Sequence, residues 1–288
     1  EFFSISLEMH EDNRRVLTIK EYIQTYNLHI KPYFGDKKIN SIKTSDLAIW
    51  QKKLLSNVST KRVKAVRAIL NVIFRDALND EIIKKNPLTT VSTPINEEII
   101  KKIPFSQKEI FDILNSVDHK MKAYFAIGFF SGMRTGEIIG LKWEDIDFMK
   151  STIKVRRSRR EGIETVPKTK ASIRDIDIIE KLMPYILEHR ELSRTDSIYV
   201  FETSKYKPFN TSAKIATWYW KRTLDKLGIL YRNLYQMRHT FASMMISHGE
   251  DILWVSNMLG HKDSTTTLSK YARYIKDEEK QRGSFLLV

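Results

Sequence analysis

Apolar side chains recur at helical spacing through the first third of the chain. In TIKEYIQTYNLHIKPYF they fall at Ile19, Tyr22, Ile23, Tyr26 and Ile30, with Pro32 and Gly35 expected to close the helix. TSDLAIWQKKLL starts on the cap-type residues Thr44 and Ser45 and offers Leu47, Trp50 and Leu54 to a core. STKRVKAVRAILNVIFRDALND carries Val63, Val66, Leu70, Ile73 and Ala77 on one stripe. KKNPLTTVSTPINEEIIKKIP then has three prolines and no consistent period. This predicts a helical unit over 1–95, a linker over 96–104 and a second unit over 105–275.

The second unit opens with FSQKEIFDIL, where Ser106 and Glu109 have capping-box spacing and Phe105 can staple to Ile110. After the apolar helix HKMKAYFAIGFFSGM, apolar and polar residues alternate in STIKVRR and ASIRDIDII, as in half-buried strands. SRREGIETVPKTK lies between them as loop, turn or short strand, and IYVFE is a further strand candidate. AKIATWYWKRTLDKLG, RHTFASMMISHG and DILWVSNMLG return to helix, ending at Gly228, Gly249 and Gly260. STTTLSKYARYI begins one more helix with Ser264 as its expected cap, and Trp218, Trp220 and Trp254 read as core. The expected fold is mainly α with a small β-sheet: a helical unit followed by an α+β unit. The tail 276–288 is charged and then apolar.

Composition narrows the chemistry. No stretch approaches the roughly 18 apolar residues of a membrane span. The start, EFFSISLEMHEDNRR, lacks the basic and apolar regions of a signal peptide, and lacks an initiating Met, as expected of a fragment of a longer chain. With no cysteine there are no disulfides, thiolate metal sites or thiol catalysis, which fits a reducing cytoplasm. The seven histidines form no HExxH and no i, i+4 pair, and no glycine-rich nucleotide loop occurs, so neither metal nor cofactor is expected. A net charge of +14 points to a polyanionic partner, nucleic acid first. No helix joins a basic face to a broad exposed apolar one, which argues against a membrane surface. Lys61, Arg62, Lys64 and Arg67 gather near a helix start, where side chains and free N–H groups attract phosphate. A solvated basic face would read the same way.

A tyrosine oxygen can attack a phosphodiester, but a phenol of pKa about 10 needs help. The phosphate gains charge towards the transition state, so fixed cations, above all arginines, are the expected helpers. The leaving alkoxide needs a general acid. SGMRTGE places Arg134 where an apolar helix breaks, and YQMRHTFAS places Arg238 at a helix start. LGHKD places His261 after a glycine turn, with Tyr271 ten residues on, and VPKTKASIR places Lys168 and Lys170 on a strand-connecting turn. His239 reads as structural, on a different helix face from Arg238.

The order GMRTGE…PKTKAS.R…RHTFAS…LGH…Y resembles tyrosine recombinases of the phage integrase type, over nearly the whole chain. The resemblance implies a core-binding domain and a catalytic domain clamping a duplex. It implies cutting and rejoining through a 3′-phosphotyrosyl bond, without metal or ATP, for integration or excision of a mobile element. Carried onto this sequence, Arg134 and Arg238 hold the scissile phosphate. Lys168, with Lys170 as rival, protonates the leaving 5′ oxygen. His261 bonds a non-bridging oxygen or assists the tyrosine, Tyr271 attacks, and Glu137 buttresses the site. Tyr235 stands where the family often has histidine; its hydroxyl can still donate one hydrogen bond. The His261–Tyr271 spacing is one residue longer than usual, and Tyr274, one turn further, is the fallback. The implied partners are a specific double-stranded DNA site, further protomers making a tetramer in synapsis, and accessory DNA-bending or excision factors. The implied setting is a bacterial or phage-encoded protein at the nucleoid, with 276–288 docking on a neighbouring protomer. Two other readings fit the charge: a catalytically silent DNA-binding protein on the same fold, and a type IB topoisomerase-like enzyme. The complete Arg–Lys–Arg–His–Tyr set argues against the first, and the apolar SFLLV end against the second.

Overall fold

The computed structural model describes residues 2–95, 103–167 and 170–274, with Lys170 described in its backbone alone. The chain divides into two compact units, 1–100 and 101–288. Among the described residues no helix is long and apolar enough to cross a membrane.

The first unit contains α1 (Phe2–Glu8), α2 (Val16–Thr25), α3 (Lys31–Phe34), α4 (Thr44–Leu55) and α5 (Thr60–Asn79). Pro32 does not stop the helix as its sequence suggests. A π-turn over Tyr26–Ile30 carries α2 into α3, and Pro32 falls in the first turn of α3, where its missing N–H is not needed. The helix ends at Gly35. Cap-type Thr44 and Ser45 lie inside α4; the Asp46 carboxylate caps it instead, accepting the Lys43 N–H at 3.0 Å. The apolar stripe of α5 is buried against Leu47, Trp50 and Leu54 of α4 in one core. Asp76 of α5 anchors the N-terminal segment: it accepts from Ser6 Oγ at 2.5 Å and meets His10 Nε2 at 3.0 Å.

The second unit runs α6 (Gln107–Ser116), α7 (His119–Ser131), α8 (Thr135–Ile139), β1 (Ile146–Asp147), β2 (Thr152–Val155), β3 (Ser158–Arg160), β4 (Ile163–Thr165) and β5 (Arg174–Asp177). It continues with α9 (Met183–Leu192), α10 (Ser212–Ile215), α11 (Lys221–Lys226), α12 (Gln236–Ser247), α13 (Ile252–Leu259) and α14 (Ser264–Tyr271). The capping box forms as spaced: Ser106 Oγ accepts the Glu109 N–H and Glu109 Oε2 accepts the Ser106 N–H. α7 is apolar on nearly every side because Met121 and Ala123–Phe129 are all buried, with Lys122 reaching out to Glu188. The two alternating segments pair antiparallel in a sheet of order β1–β2–β5, with Ile153 opposite Ile176, and β3–β4 make a hairpin. IYVFE is not a strand; it takes part in the isolated bridges Lys142–Tyr199 and Glu202–Pro208. Trp220 is core and Trp254 packs against the same cluster, but Trp218 is 57% exposed, because residues two apart point to opposite sides of a helix. Asp263, not Ser264, caps α14, accepting the Thr266 N–H at 2.9 Å.

Candidate active site

The site is built on the C-terminal end of α13. A helix leaves its last carbonyls without intrahelical donors. Here Gly260, at φ +61°, turns the chain back, so that the His261 N–H meets Ser256 O at 3.1 Å and the Gly260 N–H meets Asn257 O at 2.8 Å. The next three carbonyls each receive a different arginine. Arg174 Nε donates to Met258 O at 2.9 Å, Arg238 Nη2 to Leu259 O at 2.6 Å and Arg134 Nη2 to Gly260 O at 3.4 Å. The negative end of the helix dipole favours cations here. Three arginines from α8's start, β5 and α12 therefore converge on one turn.

Their charges are compensated unequally. Glu137, only 3% exposed, takes Arg134 Nη1 at 2.7 Å and Arg174 Nη2 at 3.0 Å. Burial pushes its carboxyl up, but Arg174, then Arg134, outweigh this and hold it below the usual carboxylate value. Arg238 is different. It is 2% exposed and donates to the carbonyls of Leu259 and Gly132, the latter at 2.8 Å. Among the described residues no carboxylate pairs with it. Burial, and then repulsion by Arg134, lower its pKa to about 10, so it stays charged at neutral pH. A buried cation held by carbonyl dipoles alone favours an anion beside it.

His261 follows Gly260 directly. Its Nδ1 lies 2.7 Å from Thr267 Oγ1 of α14. Burial, then the charges of Arg238, Lys270, Arg134 and Arg174, push its pKa down to about 3. It is therefore a neutral hydrogen-bonding group at neutral pH. His261 and Arg174 line one open recess, with Arg156 and Lys262 adding positive charge and Asp175 and Asp263 opposing it.

Tyr271 ends α14 and is 3% exposed. Its hydroxyl lies 2.6 Å from His239 Nδ1, across 32 residues of sequence. Burial raises the phenol above its ordinary pKa, and Arg238 pulls it back in part. Tyr235, at the start of α12 and largely exposed, presents its ring edge-on to His239 at 5.0 Å. Tyr274 lies in the turn after α14, where Arg273 Nη2 reaches its hydroxyl at 3.0 Å.

The structure thus brings Arg134, Glu137, Arg238 and His261 to one helix end, with Tyr271 and Tyr235 joined to it through α12. Lys168 lies outside the described residues, as does the side chain of Lys170 and the tail 276–288. The basic cluster of α5 divides. Lys61 is exposed and Lys64 half-buried. Arg62 donates to Thr25 Oγ1 at 3.0 Å. Arg67 is buried and bonds Gln51 Oε1 and, at 2.9 Å, Val91 O. Its guanidinium braces α4 against the chain after α5. From sequence Arg174 carries no expected role, and His239 reads as structural or backbone-bonding. Arg174 had a visible signal: it shares the inward face of β5 with Ile176, where a charge is out of place. His239 had none, since its partner is distant in the chain.

The sequence profile of the Phage integrase family matches residues 104–278, and that of the Phage integrase N-terminal SAM-like domain matches residues 1–55. The chain is 31% identical to the "Tyrosine recombinase XerC-like" protein of Caldanaerobacter subterraneus subsp. tengcongensis, over 93% of this chain and 76% of that one. It is 26% identical to the ICEBs1 integrase of Bacillus subtilis, over 90% and 74%. In structure it is similar to the Tn1549 transposon integrase in complex with circular intermediate DNA (TM-score 0.79, 19% identity, 94% of each chain). It is similar in fold to a lambda integrase tetramer bound to a Holliday junction (TM-score 0.73, 16% identity, 92% of this chain and 77% of that one).

Proposed function

This chain belongs to the phage integrase family, and from that premise we propose a division of labour among its residues. The protein is a site-specific DNA recombinase of the tyrosine type, acting on a mobile element. Its partner is double-stranded DNA, and it works as an assembly of protomers, as lambda integrase does in a dimer on a core site and a tetramer on a Holliday junction. Arg134 and Arg238 hold the scissile phosphate, with Glu137 and Arg174 fixing the first of them. His261, neutral, bonds a non-bridging oxygen. Tyr271 attacks phosphorus, the P–O5′ bond breaks, and Lys168 protonates the leaving 5′ oxygen. The 3′-phosphotyrosyl bond retains the energy of the phosphodiester, so rejoining consumes no nucleotide.

The observation that carries this reading is Arg238, a buried cation with no carboxylate partner among the described residues, at the helix end that also orders Arg134 and His261. The test is a nicked suicide substrate followed on a denaturing gel in EDTA. Unaltered protein should form a covalent adduct. Tyr271→Phe should fold, bind the site and form none, while Tyr274→Phe should form it. A DNA-linked peptide mapping to Tyr274 would move the nucleophile one turn on.

A further inference from the structure

We infer that His239 is the base that takes the phenolic proton of Tyr271 as it attacks, an inference that rests on Tyr271 being the nucleophile. Tyr271 Oη lies 2.6 Å from His239 Nδ1. A phenol has one proton to donate. Among the described residues the Tyr271 hydroxyl has this one hydrogen-bond partner, and the residue is 3% exposed. If Nδ1 were the donor, the phenolic proton would be buried without an acceptor, at a cost of about 1–3 kcal/mol. The phenol therefore donates, and Nδ1 accepts. A neutral imidazole whose Nδ1 accepts carries its proton on Nε2. Nδ1 thus presents a basic lone pair to the oxygen that must lose a proton.

The alternatives nearby are worse placed for that proton. His261 Nδ1 is taken up by Thr267, and four cations press on the ring, so a further proton on it is strongly disfavoured. The Tyr235 hydroxyl is a weak base. Arg238 is already protonated and can only stabilise the phenolate.

The step balances. The Tyr271 oxygen forms its bond to phosphorus while its proton passes to His239 Nδ1. The P–O5′ bond breaks and the leaving oxygen takes a proton from Lys168. One group gains a positive charge as the other loses one, so the site keeps its net charge. On rejoining, the DNA 5′-hydroxyl attacks, and the departing phenolate recovers its proton from His239.

The test compares single-turnover cleavage of two suicide substrates, one with oxygen and one with sulfur at the 5′ bridging position. A sulfur leaving group departs without an acid, so it cures the loss of an acid and not of a base. His239→Asn keeps an acceptor near the Nδ1 position but cannot hold a proton. It should bind DNA normally and cleave about 100-fold more slowly on both substrates, within the range of general-base effects. His239→Ala should recover in part with added imidazole. Lys168→Ala is the control that sulfur should restore. His239→Asn within a few-fold of the unaltered protein, or restored by sulfur, overturns the inference. In the unaltered protein, ¹⁵N chemical shifts should report His239 Nδ1 as an unprotonated acceptor; a protonated Nδ1 in the neutral ring overturns it without any mutation. An adduct persisting in Tyr271→Phe would instead sink the nucleophile assignment, which separates the two failures.

Discussion

Glu137 holds two guanidinium groups on one buried carboxylate. Removing one partner of a buried ion pair leaves the other charge uncompensated, which costs about 3–5 kcal/mol. Glu137→Gln keeps the shape and loses the charge. It should cost about 3 kcal/mol in urea unfolding and loosen Arg134 as well as Arg174. His261 makes a pH prediction. In an unfolded chain it titrates near pH 6.5, and in the fold near 3. Above pH 6.5 both states are neutral and nothing is lost. As pH falls from 6.5 towards 3, the unfolded chain takes a proton that the folded one refuses, so stability falls. His261→Gln should lose less stability across that window, measured by unfolding at pH 7 and pH 5. An equal loss in both proteins would place the acid sensitivity elsewhere.

At the scale of the element, the turn from α13 to α14 decides the geometry. Gly260 has φ +61°, and a Cβ there would lie 3.0 Å from Ala171 O and from Arg174 Cδ and Nη1. Gly260→Ala should therefore cost about 1–2 kcal/mol in backbone strain alone, displace Arg174 from Met258 O and turn His261. The expected readout is a lowered melting temperature with a larger fall in cleavage than in DNA binding. Equal falls in both would indicate general unfolding. The pattern of polar and apolar residues located this turn correctly, because a glycine after an apolar helix is a local signal. It located the cap of α14 one residue late, since Asp263 and Ser264 are both capping types and only the observed bond to Thr266 separates them.

For the whole molecule, a charge of +14 over 288 residues sets a strong salt dependence of DNA binding. Log K should fall with log salt at a slope of about −0.9 per phosphate neutralised. Lys61→Glu with Lys64→Glu should flatten the slope by about 2 and weaken binding to all duplexes alike. An unchanged slope would remove this helix from the interface. Arg67 is no part of that test, because its replacement removes bonds to Gln51 and Val91 and unsettles the unit itself.

The sequence by itself determined the helices, several of their ends, the two short paired strands and the order of the reactive motifs, while it misplaced the Pro32 stop and the caps of α4 and α14 by one or more residues. What it determined follows from side-chain period, capping types and turn residues, which act between near neighbours in the chain. It also determined the candidates Arg134, Arg238, His261 and Tyr271, through an order of motifs. Which charges are spent inside the fold depends on tertiary contacts between distant parts of the chain. Lys61 and Arg67 read alike in sequence, yet one is exposed and the other buried, because Val91 and Gln51 come from outside the helix. Pro32 read as a stop, yet a π-turn absorbs it. His239 read as structural, yet it holds the Tyr271 hydroxyl. Burial and hydrogen-bond partnership depend on residues far apart in the chain, and local pattern carries no record of them.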